Sequence, residues 1–245
     1  MRTLRMVLEY DGTAYHGWQR QANGLTIQQV LEEKIAVIAG ETVKVIGSGR
    51  TDAGVHALGQ VAHFKTTATI PDVHFWKGIN SLIPKDIAVK ALQEVNPSFH
   101  ARYDAKSKVY LYQIVHGSVR PALLRQYAWF VPGPIDMERI REAAVYFMGT
   151  HDFSSFCSAH SDATDHVRTI TDIRIETGSH GLIKIEIDAD GFLRHMVRGI
   201  VGTLVDIGRG KHFVSDMQEI LHAKDRRQGG MNAPPHGLFL KEVRY

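Results

Sequence analysis

Cysteine is almost absent from the chain of 245 residues, in which Cys157 is the single example. One cysteine excludes an internal disulfide. No apolar run approaches the roughly 18 residues that span a bilayer, and the first residues lack the apolar core of a signal peptide. We therefore expect a cytoplasmic protein without membrane contact, in which Cys157 packs between aromatic residues and does not act as a nucleophile.

An excess of charge of one sign is also missing. The net charge is +3, and residues 1–104 hold 11 basic and 10 acidic side chains, against 18 and 16 in residues 105–245. The chain has no basic tail, so a surface that binds an anion such as RNA must be assembled by folding. The length suffices for one large domain or two smaller ones, each with its own core.

Recognisable metal motifs are absent as well, although 14 histidines raise the question of a metal. Neither HExxH nor a Cys/His zinc spacing occurs. The remaining candidates for a metal-dependent hydrolase are His151, Asp152 and the segment 160–166, which holds two histidines and two aspartates. Because loop histidines are usually solvated, we expect no metal.

The most informative stretch is the glycine-rich segment 47–57, which lies between two apolar runs that are typical of strands. It holds three glycines and places Arg50 two residues before Asp52. In an extended backbone both side chains point to the same side. The segment is either a glycine-rich hairpin with a surface ion pair or a functional site at the end of a sheet.

A second dense stretch is the loop 10–21, which combines aromatic residues, amides and Arg20. One interpretation is a surface loop around a single anchoring residue, Trp18. The other is a set of flat rings, amides and one arginine that faces a nucleic acid.

Residues 1–104 follow the order strand, helix, strand, strand, helix, strand, which is the split βαβ pattern of ferredoxin-like domains. A capping box of Thr26 and Gln29 should begin the first helix, and Gly40 should end it. The strands are predicted at 4–10, 43–46, 60–66 and 87–95, and the helices at 27–39 and 71–81.

Residues 105–245 resemble the first half in style. Strands are predicted at 109–116, 127–131, 170–176, 182–189 and 238–245, and helices from Asp136 to Gly149, at 192–207 and at 215–222. We therefore predict an α+β protein with two ferredoxin-like or RNP-like domains, 1–104 and 105–245, whose mainly antiparallel sheets flank a central cleft.

The predicted helix 192–207 carries Arg194 and Arg198 one turn apart, without an acid between Asp190 and Asp206. Two such arginines repel each other mildly and need an anion from elsewhere. They lie either on a solvated face or, for one of them, opposite Asp52 across the domain cleft.

These motifs together resemble the tRNA pseudouridine synthase A family, over essentially the whole chain. The run Gly49-Arg50-Thr51-Asp52-Ala53-Gly54-Val55-His56-Ala57 is highly specific. Further matches are the residues 10–13, 17–19, 99–102, 151–153 and 192–202, and the strand of Tyr110 and Tyr112. Lys106 and Lys108 stand where arginine is common, which affects only fine RNA contacts.

The resemblance implies an isomerase that converts uridine to pseudouridine at nucleotides 38 to 40 in the anticodon arm of tRNA, without cofactor or metal. It implies Asp52 as the catalytic nucleophile, Tyr110 as the residue that holds the target base, and a homodimer with RNA lying across both subunits. We expect further substrate contacts from Arg50, Arg20, Gln19, His56 and Leu193.

The residue types fit this chemistry. A carboxylate such as Asp52 can attack the sugar carbon or remove a proton beside it, and the sequence leaves both routes open. A nearby cation, for which Arg198 is our candidate, would keep the carboxylate ionised in a closed pocket. A stacked base must first flip out, and Arg50 could fill the gap or hold a phosphate. Tyr110 offers a ring for stacking and a hydroxyl for proton transfer, although alternation places Tyr112 on the same face.

A non-catalytic RNA-binding module is the alternative. It would account for the rings and amides of the loop 10–21, but it leaves Asp52 without a role, because a carboxylate that faces phosphates only weakens binding.

Overall fold

The computed structural model describes residues 1–158 and 163–245. Within them the chain is a mixed α+β protein, as predicted, and none of its helices is long and apolar enough to cross a membrane. In chain order the elements are β1 (Arg2–Tyr10), α1 (Ile27–Ala39), β2 (Ile46–Gly47), β3 (His56–Thr66), α2 (Asp72–Leu82), β4 (Ile87–Val95), β5 (Ser107–Gly117), β6 (Trp129–Pro132), α3 (Met137–Val145), β7 (Gly149–Asp152), β8 (Val167–Thr177), β9 (Leu182–Ala189), α4 (Met196–Gly208), α5 (Asp216–Ala223) and β10 (Leu238–Arg244).

The chain forms two compact units. The first contains Met1–Lys106 and Phe239–Tyr245, and the second contains Ser107–Leu238. The sequence analysis placed the C-terminal strand in the second domain, whereas in the structure nearly all of it lies in the first unit. The two ferredoxin-like folds and the central cleft stay a prediction.

The sheet of the first unit has the order β4-β1-β3, and both pairs of strands are antiparallel. The free side of β3 is shared: β2 pairs antiparallel with its later part, and β10 pairs parallel with its beginning, at His56 and Ala57. Leu4, Met6 and Leu8 of β1 are fully buried. This alternation gives β1 one face for the core, as the sequence predicts.

The predicted strand 43–46 is wrong in extent, because β2 contains only Ile46 and Gly47. Val43 and Val45 are buried, which explains the apolar pattern. The backbone of Val45, however, bonds to side chains of α1: its amide donates to Glu32 (3.1 Å), and its carbonyl accepts from Gln28 (3.0 Å). These bonds replace the ladder of a strand.

The predicted caps of α1 at Thr26 and Gly40 are confirmed, but the predicted contact of the Gln29 side chain is wrong. The Oγ1 of Thr26 accepts from the amide of Gln29 (3.3 Å), and Gly40 ends the helix in the left-handed region at φ 70°. The Gln29 side chain does not reach back as a capping box requires, because it donates instead to Glu33 (2.9 Å).

The sheet of the second unit has the order β5-β9-β8-β7 and is antiparallel, while β6 adds a parallel pair to β5. The predicted helix from Asp136 ends at Val145 and not near Gly149. Tyr146, Phe147 and Met148 each donate their amide to the carbonyl three residues before, so the helix tightens into turns. Phe147 is fully buried, which extended the apolar pattern beyond the helix, and Gly149 begins β7.

The N-cap of α3 provides a test of the fold. Asp136 accepts from the amides of Glu138 (3.0 Å) and Arg139 (3.2 Å). We expect Asp136→Ala to lower the free energy of unfolding by about 1 kcal/mol, measured by urea denaturation. Asp136→Asn, which retains a capping oxygen, should be close to the wild type. Equal losses in the two variants would contradict a capping role.

Candidate functional site

The segment 48–55, which we call the Asp52 loop, connects β2 to β3. Its beginning is tied to the strand that follows it. The Ser48 amide donates to the carbonyl of Val61 (2.7 Å), and the Ser48 hydroxyl donates to the side-chain oxygen of Gln60 (2.7 Å). The amide nitrogen of the same Gln60 side chain donates to the carbonyl of Gly49 (3.0 Å). A buried glutamine therefore fixes the two residues before Arg50.

The middle of the Asp52 loop is held at Thr51, the residue next to the carboxylate. The Thr51 Oγ1 lies 2.8 Å from the phenol oxygen of Tyr10, and the Thr51 carbonyl accepts from the Trp18 amide (3.0 Å). Burial raises the pKa of Tyr10 to about 12, although its hydrogen bonds to Thr51 and Gln60 act in the opposite direction. Tyr10 is therefore a neutral hydrogen-bonding group at physiological pH.

The end of the Asp52 loop is a tight turn. The amide of Val55 donates to the carbonyl of Asp52 (3.1 Å), and the amide of Gly54 donates to the backbone carbonyl of Tyr15 (3.4 Å). Gly54 has φ 76°, a left-handed conformation that glycine adopts without strain. Asp52 itself is half-buried, and Arg50 is exposed.

Two glycines of the neighbouring loop allow close approach to the Asp52 loop. A Cβ at Gly12 would lie 2.0 Å from the carbonyl oxygen of Val55. A Cβ at Gly17, which has φ 85°, would lie 2.5 Å from the carbonyl oxygen of Thr51 and 3.0 Å from the carbonyl carbon of Asp52. Only glycine fits at these positions without displacing the backbone that carries Asp52.

His56, at the start of β3, is buried and serves the same loop pair. Its Nδ1 lies 3.1 Å from the Gly12 amide and 3.1 Å from a carboxylate oxygen of Asp11, and its ring stacks on Phe239 at 4.7 Å. The Nδ1 accepts from the Gly12 amide when it carries no hydrogen, and it donates to Asp11 when it carries one. In either state His56 joins β3 to the residues 11–12. Its expected contact with substrate stays a prediction.

The tyrosine and tryptophan rings of the loop 10–21 do not face solvent. Tyr10, Tyr15 and Trp18 are each less than 5 % exposed. The interpretation in which these rings face a nucleic acid is therefore wrong for the unbound chain. Tyr15 donates to Asp86 (2.6 Å), and burial, followed by this bond, raises the pKa of Tyr15.

The amides and the arginine of this loop lie outside. Gln19 and Arg20 are exposed, and Arg20 pairs with Glu32 of α1 (3.2 Å). Arg20 also borders an open surface depression of about 700 Å³, together with Gln21, Leu25 and other residues of this region. This is the part of the loop that can meet a solute.

In the second unit, β5 carries the two tyrosines that alternation left equivalent. Tyr112 is fully buried and donates its hydroxyl to the carbonyl of Pro234 (2.7 Å). Burial raises the pKa of Tyr112, against the effect of the nearby Arg198. Tyr110 is 8 % exposed, and its ring meets Phe192 edge to face at 4.9 Å. Tyr112 is thus a structural residue, while Tyr110 lies closer to the surface.

The prediction that Arg194 and Arg198 lie on one helix is wrong. Helix α4 begins at Met196. His195 has the left-handed φ of 67°, so the helical conformation does not extend to the residues before Met196. Arg194 therefore precedes the helix, and Leu193 beside it is buried. Arg198 is half-buried on α4, and its Nε donates to the carbonyl of Ala233 (2.7 Å). The amide of Ala233 donates back to the Arg198 carbonyl (3.0 Å), which fixes the arginine backbone.

The structure thus groups the expected site residues within each unit. The first unit brings the Asp52 loop together with Tyr10, Trp18 and His56, and the second brings Tyr110 to Phe192. The sequence analysis missed Thr51 and Gln60 as anchors, as well as the close packing at Gly12 and Gly17. The glycines of the loop 10–21 were the available signal, because glycine is common where two backbones meet.

The candidate metal ligands have other partners. The Nε2 of His151 bonds to the Met148 carbonyl (2.8 Å). Burial favours the neutral form of Asp152, but its bonds to Lys224 (2.9 Å) and Ser154 lower the pKa of Asp152 to about 2. In the segment 160–166, residues 160–162 lie outside the described residues. In the described ranges, no three His, Cys, Asp or Glu side chains are close enough together to hold a metal ion.

Comparison with known proteins identifies the family. A family model described as tRNA pseudouridine synthase matches residues 6–104 and 143–245. The chain is 47 % identical to tRNA pseudouridine synthase A of Acetivibrio thermocellus, 46 % identical to tRNA pseudouridine synthase A 2 of Clostridium perfringens and 44 % identical to tRNA pseudouridine synthase A of Geotalea uraniireducens. Each alignment covers 245 residues and the full length of both chains. The matched ranges include the Asp52 loop with its anchors and helix α4, and the chain belongs to the tRNA pseudouridine synthase family.

Proposed function

We propose that this chain isomerises uridine to pseudouridine at nucleotides 38 to 40 in the anticodon arm of tRNA, with the carboxylate of Asp52 as its nucleophile. Membership of the family supports the reaction and the tRNA substrate. The observation that supports the role of Asp52 is the hydrogen bonding of its neighbours. Thr51 bonds to the Tyr10 phenol and accepts from the Trp18 amide, and the Gly49 carbonyl accepts from Gln60. A surface hairpin needs no such support.

The reaction breaks the bond between the base nitrogen and the sugar, rotates the base and forms a carbon–carbon bond at the same sugar carbon. The atoms of substrate and product are the same, apart from a proton that leaves the base carbon and one that the freed ring nitrogen gains. An ionised carboxylate can attack the sugar carbon, or it can remove a proton beside it. Both routes need Asp52 to be held within bonding distance of an extruded nucleotide.

When a base flips out of the stack, one group must hold the base and another must fill the space that it leaves. Arg50 is exposed two residues from Asp52, so we propose that it occupies the gap or holds a phosphate. Tyr110 is proposed to hold the base, since its ring is braced by Phe192. Stacking on such a ring contributes roughly 1–3 kcal/mol per base.

Arg198 is the proposed cation for Asp52. The amide of Ala233 donates to the Arg198 carbonyl, and the Arg198 Nε donates to the Ala233 carbonyl. The remaining guanidinium nitrogens provide further donors. In a site from which RNA excludes water, a cation close to the carboxylate would favour its ionised form.

The other expected contacts separate by exposure. Gln19 and Arg20 lie on the surface and are proposed to contact the RNA backbone. His56 and Leu193 are buried, so we propose that they position the residues that line the site and do not contact the RNA backbone. A homodimer that binds RNA across both subunits, and a cytoplasmic location, remain part of the proposal. Sedimentation of the free chain tests the homodimer.

The central test is Asp52→Asn. We expect pseudouridine formation, followed by tritium release from tRNA labelled at the uridine base carbon, to fall by on the order of 10⁴-fold or more. The affinity for tRNA should be retained, because the substitution removes a negative charge near phosphates. Asp136→Asn, an exposed aspartate of the second unit, is the matched control. Normal turnover by the Asp52 variant would contradict its role.

Tyr110→Phe and Tyr112→Phe form a second matched pair. We expect the Tyr110 variant to fold normally and to lose 10²- to 10⁴-fold of its single-turnover rate, the range of a proton-transferring group. The Tyr112 variant loses the bond to Pro234 and should instead lose about 1 kcal/mol of stability with near-normal turnover. The reverse pattern would assign the base-holding role to Tyr112.

Gly17→Ala tests whether the packing of the two loops supports catalysis. Both Gly17 and Gly40 have positive φ, so backbone strain alone should destabilise an alanine variant at either position by roughly 1–2 kcal/mol, and the contact with backbone atoms should add to this loss at Gly17. Only at Gly17 does the added methyl meet the backbone of Thr51 and Asp52; at Gly40 nothing lies within 4 Å. We expect a loss of about 10²-fold in turnover for Gly17→Ala alone, measured below the melting temperature of both variants. Equal turnover in the two would show that the packing is not needed.

A further inference from the structure

We propose that His100, Arg102 and Tyr103 form a second contact for the substrate RNA, apart from the Asp52 loop. This inference depends on the proposed function for its ligand. The three residues lie in the turn between β4 and β5, and no role has been assigned to them above. We call them the Tyr103 cluster.

The Tyr103 cluster is a stack of rings with one open face. Tyr103 is 75 % exposed, and its ring stacks on that of His100 at 4.2 Å and 27°. Beneath it, His100 meets the buried His63 edge to face at 5.0 Å. An exposed ring that stacks on a second ring is suited to further stacking with a base.

The turn is rigid before any ligand binds. The Nδ1 of His100 accepts from the amides of Arg102 and Tyr103, each at 3.2 Å. The amide of His100 donates to Asp104 (2.9 Å), so the acid of this turn is already used within it. The Ala101 amide donates to His63 (3.1 Å). Little conformational entropy is therefore lost when a base stacks on Tyr103.

The charges around the Tyr103 cluster favour an anion. The guanidinium of Arg102 lies 5.8 Å from the Tyr103 ring centre, and Arg5 lies 5.0 Å from the ring centre of Tyr245 beside the same turn. Burial, followed by the neighbouring His100 and Lys65, lowers the pKa of His63 to about 4, although Asp104 acts in the opposite direction. His63 is thus a neutral support, and the positive charge comes from Arg102, Arg5 and Lys65. A base for the ring and phosphates for the cations are both present in RNA.

The position of the cluster separates it from the chemistry. The Asp52 loop begins beside Val61, but Asp52 itself lies at the other end of the loop, where its carbonyl accepts from Val55. His63, which contacts His100, lies seven residues along β3 from His56, the residue that follows the loop. At about 3.3 Å per residue this is roughly 23 Å. An RNA whose target nucleotide lies at Asp52 would meet the Tyr103 cluster with another part of the molecule. The cluster should therefore affect the affinity for tRNA and leave the chemical step unchanged.

The test compares Tyr103→Ala, Tyr103→Phe and Arg102→Ala in the full chain, with unmodified tRNA transcript as the probe. We expect Tyr103→Ala to weaken binding by roughly 5- to 100-fold, and Tyr103→Phe to bind as the wild type does. Arg102→Ala should reduce the slope of log K against log salt by about one. Single-turnover rates at saturating enzyme should be unchanged in all three. Phe213→Ala is the matched control, since Phe213 is 74 % exposed in the second unit.

Three results would overturn the inference. Wild-type affinity in both alanine variants would exclude the contact. A loss of affinity that follows a change in sedimentation would assign the cluster to an interface between copies of the chain. An equal loss in Phe213→Ala would show that exposed rings act non-specifically. If the wild type binds tRNA and these variants weaken it, but no pseudouridine forms, the proposed function fails while the RNA contact stands.

Discussion

The backbone of Thr51 is the point on which the rest of the candidate site depends. Its carbonyl accepts from Trp18, and its hydroxyl bonds to the buried phenol of Tyr10. These two bonds attach the Asp52 loop to the end of β1 and to the loop that follows β1. The role that we propose for Asp52 requires such a frame, because small displacements of a reacting group lower the rate steeply.

The frame is made of backbone as much as of side chains. Gly12 and Gly17 let the chain 11–18 lie directly against the Asp52 loop, at distances that exclude any Cβ. His56 joins the same chain to β3 from the other end of the loop. The aromatic residues nearby, which suggest an RNA surface when only their type is considered, serve as the buried support of this frame. The polar Gln19 and Arg20 are left for the solvent side.

In the second unit, two neighbouring tyrosines of one strand have different environments. Tyr110 and Tyr112 are two residues apart on one strand, yet the hydroxyl of Tyr112 is bound to Pro234 and that side chain is fully buried. Tyr110 retains some exposure beside Phe192. In the Tyr103 cluster of the first unit, the buried His63 contacts His100, on which the exposed ring of Tyr103 stacks. The ring beside Tyr110, in contrast, is that of the half-buried Phe192.

The sequence by itself determined the α+β class, nearly all the strands and the family, because strand alternation, helix caps and the run around Asp52 are local patterns. It also predicted roles for Asp52, Tyr110 and Arg198, and these roles stay predictions. Tertiary structure alone decided that Val45 bonds to helix α1 and not to a strand, that α4 begins after His195, and that the rings of the loop 10–21 point inward. These features depend on which distant group satisfies a backbone amide or covers a ring, and no spacing along the chain specifies that partner.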